Sequence, residues 1–283
     1  MVNGSDYVIR LKTGKVDAVI PFLSETLREK VFFSEEYAAI EGEGWRGGLT
    51  ERAGTEGGFT TALTLDSAPA ILGAAFGKNA GVFYISGTRD MYRQVFRLCS
   101  VDDAPRFFLH EQKGAEEKVY PECFCKAFEL RVERGGAVMA RLDIEGNEKA
   151  ERRVIESLKK SIGYAERFKE RGVDYFINKE KYNSIYRFVM SCDKNNGCKT
   201  SVLIYRYLNI AFEPPDFIEN LTLQANLFRD IYEPGQHGKF ALTLKDLRLL
   251  SDDTEVCAAD AVIGGLRYSV CGAVYADAFN SEE

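Results

Sequence analysis

The chain is poor in the residues that most enzymes and secreted frameworks need. Histidine occurs only twice in 283 residues, at His110 and His237. A nucleophilic site would need one of them beside a Cys or Ser with a third group to orient it, and no such motif is present, so catalysis is not expected. The Gly-rich run Gly42 to Gly48 lacks a following Lys-Ser/Thr and is not a phosphate-binding loop. The seven cysteines are odd in number and scattered. None shows the C-x-x-C spacing of common zinc sites, and with no export signal they read as free thiols. No window approaches the roughly 20 apolar residues of a membrane helix. The N-terminal stretch is polar where a signal peptide would be apolar, which predicts a protein kept in the cytoplasm. A net charge of −6 and the lack of any Lys/Arg-rich tract argue against a protein that grips nucleic acid through its phosphates.

What is abundant points to strands. The chain has 19 Phe and 14 Tyr but only 7 Pro. Aromatics fit pleated surfaces, and few prolines leave ladders intact. The most informative stretch is Val119 to Gly146, VYPECFCKAFELRVERGGAVMARLDIEG. On its first arm Phe124, Lys126, Phe128, Leu130 and Val132 share one face, and Cys125, Ala127, Glu129 and Arg131 share the other. Arg134-Gly135-Gly136 supplies a turn. On the return arm Val138, Ala140, Leu142 and Ile144 oppose Met139, Arg141 and Asp143. A period of two over two long arms predicts a β-hairpin. A free hairpin of this length needs a covering surface, either a larger sheet of the same chain or a neighbouring subunit.

Further strands are expected at Gly58–Asp66, Val82–Ser86, Gln94–Cys99, Arg106–Gln112, Ser184–Cys192, Cys198–Tyr207, Asn220–Phe228, Lys239–Leu249 and Gly265–Phe279. Ser67 to Phe76 predicts one short helix, with Ser67 as N-cap, Pro69 in the first turn and Gly77 at the end. Residues 147–172 are rich in helix formers, with Val154, Leu158 and Ile162 near helical spacing, and predict a connecting helix. The expected organisation is therefore a β domain over 1–150, a helical linker over 151–172 and a second β domain over 173–283. GGFTTALTLDSAPAIL from Gly57 and GKFALTLKDLRLL from Gly238 echo each other, which raises a divergent repeat.

Candidate chemistry is thin. Cys123, Cys125, Cys192 and Cys198 are the residues from which a zinc or redox site would be drawn, against the plainer reading of small buried side chains. Cys192 and Cys198 flank a turn, where a disulfide would need an oxidising setting. Asp193-x-Asn195-x-Gly197 has part of a calcium-loop pattern without its later acidic ligand, and reads as a hairpin turn. Trp45 is either an interface anchor or a core plug beneath its loop. No metal and no cofactor are expected.

Taken in order, four segments resemble the tail tube protein family of long-tailed bacteriophages. They are GGFTTALTLDSAPAILGAAFG, RQVFRLCSVDDAPRFFLHEQKG, VYPECFCKAFELRVERGG and AVMARLDIEG, within residues 45 to 146. Members carry a strand followed by a Pro-x-Leu-Leu-type helix ending in Gly, here Pro69 to Gly77. They also carry a Tyr-x-Gly-Cys-type entry into a long hairpin, here Tyr120-Pro-Glu-Cys123, with Pro121-Glu122 in place of the usual Gly. The resemblance implies tandem β-sandwich or split-barrel domains with a flanking helix. It also implies rings whose long hairpins join into an inner barrel, either hexamers or trimers of two-domain chains. Rings would stack into a tube that passes DNA without specific binding and meets other tail proteins, so the final location would be a virion tail. On this expectation the assembly hairpin is carried by Phe128, Leu130, Val132, Gly135, Gly136, Val138 and Leu142. The competing expectation is a stand-alone β-sandwich module that binds a glycan or a protein surface.

Overall fold

The computed structural model describes residues 7–13, 16–40, 44–64, 66–84, 91–155, 172–182, 185–207, 215–226, 239–256 and 262–281. The protein is mainly β, with a single helix among the described residues and a large antiparallel sheet that does not close on itself. The strands of the first half are β1 (Tyr7–Thr13), β2 (Val16–Ile20), β3 (Phe22–Glu25), β4 (Arg28–Ile40), β5 (Gly44–Ala62), β6 (Gly77–Tyr84), β7 (Met91–Leu98), β8 (Phe107–Lys113), β9 (Glu116–Glu133), β10 (Met139–Gly146) and β11 (Glu151–Val154). The helix α1 (Ala68–Phe76) lies between β5 and β6. The second half supplies β12 (Val173–Ile177), β13 (Glu180–Tyr182), β14 (Ile185–Asp193), β15 (Lys199–Tyr207), β16 (Phe217–Asn226), β17 (Lys239–Val256), β18 (Val262–Val270) and β19 (Val274–Ser281).

The hairpin forms where alternation and turn chemistry coincide. Gly135 takes the left-handed φ of 73° that glycine tolerates without strain, and the Gly136 amide donates to the Glu133 carbonyl at 3.0 Å. β9 and β10 then pair from Met139–Arg131 to Gly146–Cys123. The expected face of β9 holds only beyond Lys126. There the register skips one residue, so Ile144 faces Cys125 while Asp143 faces Ala127. A bulge of this kind reverses which side chains point inward. Cys123 and Cys125 therefore join Phe128, Leu130 and Val132 in the core. Phe124 falls on the other side, beneath the Arg106 guanidinium, whose centre lies 4.1 Å from the ring centroid.

Other expectations shift for physical reasons. Ser67 stands at the N-cap, but its hydroxyl is turned to the Thr64 hydroxyl, 2.8 Å away, and caps no helical amide. Glu151–Val154 is a strand, not the start of a helix, because the first part of β9 presents an edge that it pairs from Glu151–Val119 to Val154–Glu116. Residues 156–171, the rest of the expected linker helix, lie outside the described residues. The single strand expected at Gly265–Phe279 is two, β18 and β19, both laid along β17 and interrupted at 271–273. Trp45 is paired with Ala39 in a long β4–β5 ribbon, not in a loop.

The pairing pattern of the first half recurs in the second. β1 pairs β2 and β8, β8 pairs β9, β9 pairs β10 and β11, β10 pairs β5, and β5 pairs β3 and β4. In the same order β12 pairs β13 and β16, β16 pairs β17, β17 pairs β18 and β19, β18 pairs β15, and β15 pairs β14. Even the irregularities correspond. Lys126 is the skipped residue in β9, and Leu250 is its counterpart in β17. Four positions before each stand Glu122 and Asp246, both at positive φ, 48° and 55°. Glu122 thus occupies, with a side chain, the backbone region that glycine favours. Leu23 is skipped between Phe22 and Ser24, and Tyr186 between Ile185 and Arg187. The echo from Gly57 and Gly238 aligns β5 with β17, which do not hold matching places in this pattern.

Two seams join the halves. β14 pairs the outer part of β9, from Arg187–Glu133 to Asp193–Ala127, and β19 pairs β7. The first seam produces a continuous run β4-β5-β10-β9-β14-β15-β18-β17. Its inner side carries Phe59, Leu142, Leu130, Met190, Ile204 and Leu266, all at most 2% exposed. Each such side chain contributes about 1.5–3 kcal/mol of transfer free energy. The helix closes this core from behind, with Phe76 edge-on to Phe128 at 5.6 Å.

Candidate assembly interface

The other side of the same run is polar and nearly balanced in sign. Alternation places Arg141, Glu129, Ser191, Ser201 and Ser269 in one row across five adjacent strands. A neighbouring row reads Met139, Arg131, Val189, Leu203 and Arg267. The charges are matched locally: Arg131 with Glu133 at 2.5 Å, Arg187 with the same carboxylate at 3.4 Å, and Arg141 with Asp143 at 3.1 Å. These pairs are partly solvated and contribute little to stability. Their effect is to cancel the field, so the surface offers no cationic track for a phosphate backbone.

The run ends in two open edges. Among the described residues β3 and β4 pair only with β5, and no strand pairs with the far side of β17 over Asp252–Val256. Open edges invite another chain. Of the six large apolar side chains that are exposed among the described residues, three lie on these edges: Leu23 (62%), Val31 (45%) and Leu250 (61%). Arg28 and Lys30 line the first edge, each 2.5 Å from Glu56, and together they hold that carboxyl below its usual range.

A buried acidic cluster fastens β1, β8 and β9. Glu111 accepts from the hydroxyls of Tyr7 and Tyr120, both at 2.7 Å, and from Lys113 at 2.5 Å. Burial works against its charge, but these donors outweigh burial and bring its carboxyl below the usual range. The Tyr7 and Tyr120 hydroxyls move upward, through burial first and then through their acceptors, Glu25 followed by Glu111 for Tyr7 and Glu111 for Tyr120. Glu117 is likewise lowered: burial opposes its charge, and Gln112 at 2.9 Å and His110 at 3.0 Å prevail. A carboxylate whose folded pKa is depressed adds stability above its unfolded pKa and loses it as pH falls through the folded value. Unfolding free energy is therefore expected to decline from about pH 4.5 downward, and Glu111→Gln to flatten that decline. Urea titrations at stepped pH check this; an unchanged acid limb in the variant would count against it.

Five of the seven residues expected to carry assembly lie inside the molecule. Phe128, Leu130, Val132, Val138 and Leu142 are core residues at most 2% exposed, while Gly135 and Gly136 form the hairpin turn. The cover that the hairpin needs comes from the chain's own second half, through β14. The candidate thiols do not converge on an ion, and no cluster of three or more His, Cys, Asp or Glu suited to a metal exists among the described residues. Burial pushes Cys123 and Cys125 up to about 12 and Cys192 up to about 11. Cys192 faces Thr200 across the hairpin, not Cys198, which sits in the turn at φ 58°. Asp193 accepts from the Asn195 amide at 3.1 Å, an ordinary Asx turn, and Gly197 at φ 65° completes it. His237 lies outside the described residues, and of Trp45 only the backbone is described. The edge residues Arg28, Val31 and Leu250 were not singled out by sequence reasoning, because a lone charge or apolar residue beside a bulge has no periodic signature. No family model matches the chain, and no curated protein matches it.

Proposed function

We propose that this protein is a structural, self-assembling subunit that builds the tube of a phage tail or tail-like particle, a conduit for DNA. The observation that carries this reading is the seam between β9 and β14. It fuses two equivalent strand sets into one sheet with a hydrophobic back, a charge-balanced polar front and open ends. Two tube domains in tandem account for that arrangement, and three such chains would complete a ring of six. The polar front supports a lumen lining, since a surface with cancelled charge lets DNA slide without holding its phosphates. The β4–β5 ribbon adds a second kind of contact. It continues ten pairs past Lys30–Gly54, the point that corresponds to the end of β14–β15, and so extends about 34 Å further, a length of ribbon available for contact between stacked rings. The order of the four segments that resemble tail tube proteins favours the same reading.

The partners on this reading are further copies of the chain and other tail proteins, with DNA passing transiently. Electron microscopy of the concentrated protein is expected to show rings, and tubes made of stacked rings. A protein that gives discrete monomers at every salt and protein concentration, with or without extracted tail tips as initiators, would rule the proposal out.

A further inference from the structure

We propose that Tyr7, Glu25 and Glu111 together hold one proton beyond the one the tyrosine carries, and that this proton clasps the corner between β3 and β4. The clasp opens when the proton leaves, which gives the fold a pH-sensitive joint. It belongs to the single chain and is independent of any assembly.

Tyr7 of β1 has two carboxylate neighbours and one hydrogen to give. Its hydroxyl lies 2.7 Å from Glu111 Oε1 on β8 and in contact with Glu25 Oε2 on β3. Three oxygens therefore stand in a row with two gaps of hydrogen-bond length, and each gap is favourable only with a hydrogen in it. Tyr7 fills one. The other needs a hydrogen on a carboxyl, and Glu111 is the poorer place for it. Lys113 at 2.5 Å and the Tyr120 hydroxyl at 2.7 Å already donate to Glu111 and favour its charged form. No cation is paired with Glu25 among the described residues, and its Oε1 accepts from the Leu27 amide. The extra proton therefore sits between Glu25 and Tyr7, and Tyr7 directs its own to Glu111. Because the groups interact, that proton belongs to the cluster more than to one residue.

The surrounding charges lead to the same count. Lys113 of β8 lies over the Tyr7 ring at 4.5 Å and pairs with Glu111. Lys118 of β9 lies over the Tyr120 ring at 4.9 Å and pairs with Glu29 of β4 at 2.9 Å, with Arg152 of β11 at 3.8 Å from the same carboxylate. Glu25 is left as the acid that only a proton neutralises. Phe22 stands edge-on to Tyr7 at 4.7 Å and Glu111 is 5% exposed, so little water reaches the row. Without the proton, one oxygen–oxygen contact has no hydrogen and repels. Glu25 then swings away and the Leu27 amide loses its acceptor, while the Thr26 amide stays on the Gly58 carbonyl at 2.9 Å. A proton held only by the folded chain adds stability at low pH, and that stability is lost as pH rises.

Glu25→Gln holds the clasp shut, because its amide donates to Tyr7 at any pH and its carbonyl still accepts from Leu27. At about pH 7 ordinary carboxyls are ionised. The infrared spectrum of the native protein minus that of the variant is then expected to show the carbonyl stretch of one protonated carboxylic acid. Exchange of the Leu27 amide is read as the ratio of native to variant, so that its ordinary pH dependence cancels. That ratio is expected to rise at least about fivefold between about pH 6 and about pH 9. Tyr7→Phe removes the middle oxygen and is expected to abolish the acid band as well, which keeps the test open should Glu25→Gln misfold. Circular dichroism verifies the fold of each variant. The absence of an acid band from the native protein, or a band that both variants keep, overturns the shared proton. A Leu27 ratio that stays flat with pH overturns the clasp.

Discussion

Leu130→Glu is expected to leave no stably folded monomer. Leu130 is 1% exposed in the centre of the seam, opposite Ala140 on β10 and Met190 on β14, both fully buried. A carboxyl there has no donor among its immediate strand partners and no water. It must either be buried charged or hold a proton at a pKa far above its usual value. With the lost packing, the cost should exceed about 5 kcal/mol, comparable to the whole stability of many domains. Circular dichroism and urea unfolding on dilute protein measure it. Leu23→Glu is the matched control: at 62% exposure it should change monomer stability by no more than about 0.5 kcal/mol. A cooperative transition for Leu130→Glu close to that of the native protein would refute the seam as described. The apolar face of the hairpin is thus needed for the fold itself.

Gly58→Val should be the next most damaging change. β5 passes so close to β10 that a Cβ at position 58 would stand 2.1 Å from the Leu142 carbonyl oxygen. That neighbour is backbone, held in the ladder by the Asp143–Gly58 and Leu142–Phe59 pairs, and it cannot swing aside as a side chain could. Relief requires β5 to leave its partner, at a cost of about 3 kcal/mol. The denaturation midpoint should fall, and amide exchange should accelerate first in β5 and β10. Exchange that stays slow in both strands would show that the approach is looser than the geometry implies.

How much of this was legible beforehand depended on whether a feature leaves a periodic trace. The hairpin did: Val138, Ala140, Leu142 and Ile144 alternate, and all four are fully buried. The bulge at Lys126 did not, because one inserted residue in an otherwise alternating arm looks like a continued arm. Phe124 and Cys125 therefore exchange faces relative to expectation. Helix formers dominate Glu151-Arg-Arg-Val154, yet the available edge of β9 turns that segment into a strand, a case of tertiary context overriding local preference. β1 to β4 and β12 to β13 went unread because charges interrupt their short alternations. The recurrence between the halves is carried by pairing order and backbone irregularity. Lysine stands opposite leucine at the matched skipped positions, so similarity of side chains led instead to β5 and β17.

Both seams bring together segments far apart in the chain: Arg97 meets Tyr275, and Leu130 meets Met190. The order of synthesis then governs safety. While the first half is already made, the outer edge of β9 and the edge of β7 wait uncovered until β14 and β19 emerge. Late closure of long-range β pairs is slow and exposes adhesive strands to neighbouring nascent chains. An edge left waiting in this way is open to a strand from another chain as well as to its own, so completion of the fold competes with misassembly. Rapid arrival of β14 is what keeps that competition from ending in aggregates.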